Sequence, residues 1–284
     1  MSDMRIFTIA SGSSGNCTLI CDGDTCVLID AGISARRIRA ALDSFGLSPD
    51  QLDGILITHE HSDHICGLKT LIKHFDIPIL APRTVANHLR WSIAGVEDYI
   101  VELKAKREDK VGGLTVLPFH TPHDTPESVG YRITGSSVFG FCTDCGHITD
   151  EVLEGLCGSE TAVIEANHNL DMLRTGPYPV MLKRRILSDS GHLSNDCCAE
   201  LALKLYDSGT RQFILGHLSR ENNTPELAYG SVSEAFLREG IDITKNGYLG
   251  IAPEKEILEV NCNDKDQNHL CGQAQREALH KRLR

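Results

Sequence analysis

The run Thr58-His59-Glu60-His61-Ser62-Asp63-His64 constrains this chain more than any other feature. It follows Asp53 to Ile57, an apolar segment that reads as a buried strand and delivers the chain straight to Thr58 and His59. Imidazoles and carboxylates are costly to enclose in a protein interior unless each finds a partner. Three histidines and an aspartate packed this closely form a ready donor set for a borderline divalent metal. At extended or turn spacing, His59 and His61 point toward one ion, while Asp63 and His64 turn toward a second.

The rest of the chain reads as a layered α/β protein in which strands and helices alternate and hairpins are mixed in. Strand signals fall at Arg5 to Ala10, Cys17 to Cys21, Cys26 to Asp30, Ile77 to Leu80, Leu114 to Phe119 and Val129 to Ile133. Others fall at Ser137 to Phe141, Thr161 to Ile164 and Arg211 to Leu215. Helical spacing appears over Ser34 to Phe45, with Ser34 as N-cap, and over Gly67 to His74, Thr149 to Cys157, Asn195 to Tyr206 and Ser231 to Arg238. No repeat or long linker interrupts residues 1–260, which read as one catalytic domain. Residues 261–284 are polar and end in Lys281-Arg282-Leu283-Arg284, so a frayed tail or surface helix is expected there, with a nucleic-acid-holding arm as the other reading.

Bulk properties narrow the class. An apolar fraction of 41% over 284 residues supports a sizeable core. A formal charge of -11 argues against a protein coated in non-specific nucleic-acid affinity, because phosphate binding relies on Lys and Arg. It leaves room for a nuclease, since a local basic patch and bound cations offset an acidic surface. No signal peptide opens the sequence, and no apolar stretch is long enough to span a membrane, so a cytoplasmic protein is expected. The 11 cysteines are therefore expected to be reduced and scattered. The single CxxC, Cys142-Thr143-Asp144-Cys145, has no second pair with which to build a zinc ribbon and is expected to be structural or incidental.

The HxHxDH pattern resembles that of the metallo-β-lactamase superfamily, and the resemblance extends over roughly residues 4 to 260. It implies a four-layer αββα sandwich with two mixed β-sheets and a site for two divalent ions of manganese, zinc or iron. In that resemblance His59, His61 and His123 hold the first ion, and Asp63, His64 and His217 the second. Asp144, in Thr143-Asp144-Cys145-Gly146, bridges them. Asp30 resembles the early aspartate that supports the metal loop without being a ligand. His120 competes with His123, which is preferred because Val129-Gly130-Tyr131-Arg132 follows it more closely. His74, His88, His147, His168, His269 and His280 are read as ordinary.

An aspartate in the bridging position favours phosphodiester or thioester hydrolysis over lactam cleavage. Glu165, after a strand, and His192, just before a helix, resemble the pair in transfer-RNA 3′-processing ribonucleases, in which the glutamate orients a histidine that binds phosphate or protonates the leaving oxygen. The long exosite arm of those enzymes is missing. Ser11-Gly12-Ser13-Ser14-Gly15-Asn16, Gly191-His192-Leu193-Ser194-Asn195 and Gly216 to Asn223 together resemble the YycJ/WalJ-like bacterial branch. That branch implies a metal-dependent exonuclease degrading double-stranded DNA from the 5′ end, with Asp63, His192 and Glu165 as catalytic residues and DNA as partner. Lys183-Arg184-Arg185, and Arg36, Arg37 and Arg39, either contact the nucleic-acid backbone or form solvated helix faces. The rival readings are a small-molecule or cyclic-phosphate phosphodiesterase, a thioester hydrolase and a non-catalytic regulatory partner.

Overall fold

The computed structural model of the chain describes residues 3–262. Every strand expected from the sequence is present to within two residues at each end. The reason is visible in the side-chain alternation, which divides each buried strand between two cores. In β1 (Arg5–Ala10), Ile6 enters one core while Phe7 and Ile9 enter another. In β3 (Thr25–Ile29), Val27 and Ile29 share the core of Ile6, and Cys26 and Leu28 share that of Phe7. With β2 (Cys17–Asp22), β4 (Gly54–Leu56), β5 (Ile79–Pro82), β6 (Ile100–Leu103) and β14 (Leu258–Asn261) they form a sheet ordered β14-β1-β2-β3-β4-β5-β6.

A second sheet, ordered β13-β12-β11-β10-β9-β8-β7, contains β7 (Asp109–Val111), β8 (Leu114–His120), β9 (Val129–Thr134), β10 (Val138–Cys142), β11 (Thr161–Glu165), β12 (Gln212–Gly216) and β13 (Tyr248–Ile251). In β11 and β12, Val163 and Ile214 face the first sheet, whereas Ile164 and Leu215 face outward to helices. Each sheet is antiparallel on one side and parallel on the other, the parallel halves being β3 to β6 and β10 to β13. Helices α1 (Ala35–Ser44), α3 (Leu68–Leu71) and α4 (Arg83–Ser92) bury Ile38, Leu42, Leu68 and Leu89 on the outer face of the first sheet. Helices α5 (Asp150–Leu156), α8 (Asn195–Asp207) and α9 (Pro225–Arg238) bury Leu156, Leu205 and Phe236 on the outer face of the second. The result is the expected αββα order. The short helices α2 (Ser62–Ile65), α6 (Leu170–Thr175), α7 (Val180–Ile186) and α10 (Ile243–Asn246) lie in the connections.

Two details differ from expectation. Cys21 and Cys26 are joined by a disulfide, because the β2–β3 hairpin sets them directly opposite each other with Cα atoms 4.3 Å apart. The expectation that all cysteines are reduced is corrected at this pair; the other eight described cysteines, Cys142 and Cys145 included, are free. Asn261 closes β14 and Cys262 is buried with its N–H donated to Met4 O, so order continues past residue 260. The remainder of the expected tail lies outside the described residues. Among the described residues no helix is long and apolar enough to cross a membrane.

Tyr131 ties the core to the histidine run. It is fully buried on β9, and its hydroxyl donates to Ile57 O at 2.5 Å, one residue before Thr58. Tyr131→Phe leaves that carbonyl without its side-chain donor and is expected to cost about 1–2 kcal/mol. Urea unfolding should show the lower midpoint at an unchanged m-value.

Candidate metal centre

The parallel strands β3, β4, β10, β11 and β12 deliver Asp30, Thr58 to His64, Asp144, Glu165 and His217 from their C-terminal ends, where α/β sheets characteristically place a site. Asp30, Asp144 and His217 have φ of 59°, 55° and 56°. Such left-handed backbone costs a side-chain-bearing residue roughly 1–2 kcal/mol, and Asp and His are among the residues that adopt it more often. Close approach also matters at Gly32, where a Cβ would lie 1.6 Å from Asp63 O. Only glycine lets the loop carrying Asp63 settle against the strand end, with Asp63 O accepting from Asn16 N at 2.8 Å.

Two fully buried carboxylates organise the imidazoles. Asp30 accepts from Thr58 N at 2.9 Å and from Thr58 Oγ1 at 3.0 Å, and its Oδ2 lies 2.7 Å from His64 Nδ1. Glu165 Oε1 lies 2.8 Å from both His192 Nδ1 and His217 Nδ1, while its Oε2 accepts from Cys145 N at 2.9 Å. Backbone and hydroxyl groups hold the remaining rings. His123 Nδ1 sits 3.2 Å from Gly191 O, and His59 Nδ1 sits 3.0 Å from Thr58 Oγ1. With Nδ1 occupied in His59, His64, His123 and His217, Nε2 is the nitrogen each offers to a ligand.

The offered atoms converge. His59, His61 and His123 form one group whose ligand atoms lie within 4.8 Å of one another, and Asp63, His64 and His217 form another. Asp144 lies between them, with Oδ2 3.4 Å from His64 Nε2 and Oδ1 3.7 Å from His123 Nε2. The structure therefore gathers all seven residues expected to hold metal, together with His192 and Glu165. His120 sits instead on the surface, with Nδ1 2.9 Å from Glu151 Oε1. The basic residues are mostly committed elsewhere. Lys183 donates to Arg174 O and Gly176 O, Arg185 pairs with Asp124 beside His123, and Arg37 donates to Ile9 O and Glu254 O. Arg36 and Arg184 are exposed.

Electrostatics agree with a cation-binding donor set. Burial opposes charge on His64, but the carboxylates of Asp30, Asp144 and Asp63 outweigh it and raise its pKa to about 9. Burial and the neighbouring imidazoles push His59 well below the ordinary value. Asp144 Oδ2 and His217 Nε2 are buried and make no hydrogen bond among the described residues. An unpaired buried polar atom costs about 1–3 kcal/mol, so a cation between these two donors fits the chemistry of the site.

Sequence reasoning missed several supports: Thr58 as a shared hydrogen-bonding hub, Asn16 with its amide 3.0 Å from His64 Nε2, and the second contact of Glu165, to His217. Thr58 and Asn16 both lie inside recognisable motifs, but neither residue type announces a role. Asp30→Ala leaves Thr58 N–H and His64 without their buried partner and is expected to destabilise the protein by about 3–5 kcal/mol. The loss should appear in urea melts of chelator-treated protein, which separates support of the loop from metal binding; a melt unchanged from the parent would remove Asp30 from this role.

The family described as Beta-lactamase superfamily domain matches residues 25–218. Exodeoxyribonuclease YycJ of Bacillus anthracis is 34% identical over 244 residues, which cover 84% of this chain and 92% of that protein. Exodeoxyribonuclease WalJ of Streptococcus pneumoniae is 34% identical over 247 residues, covering 82% and 90%. Among solved structures, the metallo-beta-lactamase fold protein YhfI of Bacillus subtilis superposes with a TM-score of 0.71 at 17% identity, over 92% of this chain and all of that one, a likeness of fold alone. The chain belongs to the beta-lactamase superfamily and, within it, to the family of the YycJ and WalJ exodeoxyribonucleases.

Proposed function

We propose that the chain is a metal-dependent phosphodiesterase that removes nucleotides from the 5′ end of double-stranded DNA. The observation that carries this reading is the shared buried carboxylate of Glu165, which holds His192 beside the donor cluster as well as orienting His217. Kinship with exodeoxyribonucleases over nearly the whole of their length supports DNA as the substrate.

In this reading His59, His61 and His123 hold one divalent ion and Asp63, His64 and His217 a second, with Asp144 shared between them. Manganese, zinc and iron all suit such mixed His and Asp donors. Bound there, the two ions would neutralise charge on the phosphodiester and lower the pKa of water toward neutrality. Asp30 and Glu165 keep the donor rings in one tautomer and one orientation, so no reorganisation is needed when substrate arrives. His192 has the separate task of proton transfer. Its Nδ1 is occupied by Glu165, its side chain is 20% exposed, and Nε2 is left to carry a proton to the departing alkoxide. The charge balance of Glu165 favours that protonated state: burial opposes charge on His192, yet the neighbouring carboxylates raise its pKa.

The test uses a linear duplex with a 5′-phosphate and a label at either end, incubated with manganese-loaded protein. Stepwise loss from the 5′ end, absent in Asp63→Ala, is the expected result. Digestion from the 3′ end, or full activity in the mutant, would contradict the proposal. His192→Ala is expected to lower kcat about 100-fold or more, as loss of a general acid does, while metal content measured by atomic emission stays at the parent level. Loss of metal instead would make His192 a ligand.

A further inference from the structure

Two sequence motifs supply none of the seven proposed metal ligands except His217 itself: Ser11 to Asn16, and the segment after His217. Although some 200 residues apart in sequence, they meet. Ser11, Ser13, Leu218 and Arg220 line a cavity of about 450 Å³, together with Ile251 and Pro253. The cavity shares a wall with the metal centre. Ser11 Oγ accepts from His217 N at 2.8 Å, and Gly12 N donates to Asn16 Oδ1 at 2.9 Å, whose amide in turn lies against His64. The residue after His217 is already a lining residue.

The lining specifies the occupant. Its volume lies within the roughly 300–1,000 Å³ of small-molecule sites, and its lining sets apolar Leu218, Ile251 and Pro253 beside the hydroxyls of Ser11, Ser13 and Ser219. It offers no free cation for a phosphate. Arg220 is paired with Glu254, and that carboxylate also accepts from Ser14 Oγ at 2.8 Å. The Glu254 segment is tied down too, because Arg37 donates to Glu254 O at 2.9 Å. A phosphate would meet a fixed carboxylate here, whereas a neutral group with both donors and acceptors would meet matching partners.

We propose that this cavity is a nucleoside subsite, which holds the sugar and base adjoining the scissile phosphodiester and so sets a preference for nucleic acid over simple diesters. The proposal rests on the phosphodiesterase reading, because it is the shared wall with the metal centre that makes the occupant part of a substrate. Ser11 acts on both sides of that wall, fixing the His217 backbone and facing the nucleoside. An occupied cavity therefore presses on the same loop that positions a donor of the centre.

The experiment reads binding first and turnover second. Thymidine, which carries no phosphate, is titrated into the full chain and followed by saturation-transfer NMR. Ser13 is exposed and Pro253 half-buried, so Ser13→Trp and Pro253→Trp add bulk to the cavity lining without entering the core. Both are expected to weaken thymidine binding by about tenfold or more while melting like the parent, equivalent to about 1.4 kcal/mol. Failure of thymidine to bind the parent, or equal binding to parent and both variants, overturns the subsite whatever the enzyme hydrolyses. Cavity-dependent thymidine binding without any hydrolysis of DNA would uphold the subsite as a nucleoside site and count against the exonuclease reading alone.

Discussion

The structure turns on two carboxylates with no access to solvent, one at the end of a strand in each sheet. Asp30, at the end of β3, holds Thr58 and His64; Glu165, at the end of β11, holds His192 and His217. Removing such groups from water is expensive, and each is tolerated because it is surrounded by donors that also need partners. Each carboxylate orders the donors of its own sheet, and the two sets meet at a single rim, where Asp144 from the second sheet lies 3.4 Å from His64 of the first. Donors from the loop after β4 and from the strand ends of the second sheet are thereby brought within ligand distance of one another.

The same arrangement concentrates local cost in one place. Three of the four described non-glycine residues with positive φ are Asp30, Asp144 and His217. The strained strand ends persist because the parallel strands on either side are clamped between cores and cannot relax. The carboxylates of Asp30, Asp144 and Asp63 outweigh burial and raise His64, whereas burial and the neighbouring imidazoles lower His59, even though the two rings are neighbours. A donor set so divided, with acceptors already oriented, is prepared for cations before they arrive.

Much of this is legible in the sequence. Strands such as β3, β11 and β12 are continuous apolar runs, the pattern of strands covered on both faces, and their bounds follow closely from it. The histidine run and its downstream partners are visible through motif and resemblance. Elements with weak patterns escape. β6 exposes Val101 and Glu102 and shows no alternation, and α4 carries only Val85, Ala86 and Leu89 on its buried side and lacks a capping side chain. Helix α9 begins at Pro225 behind the Thr224 cap, six residues before the expected Ser231, because Gly230 reads as a break; in the fold it faces open space and is tolerated. The Cys21–Cys26 bond depends on hairpin register, which composition does not report. His168, read as ordinary, is buried with neither ring nitrogen hydrogen-bonded among the described residues, and burial lowers its pKa to about 4. Nothing in its sequence setting distinguishes it from a surface histidine.

The central claim is that two cations share this rim. Anomalous scattering from manganese-loaded crystals tests it most directly. Two peaks per chain are expected, one among His59, His61 and His123 and one among Asp63, His64 and His217, with Asp144 between them. A single peak, or density displaced from Asp144 toward some other set of donors, would contradict it.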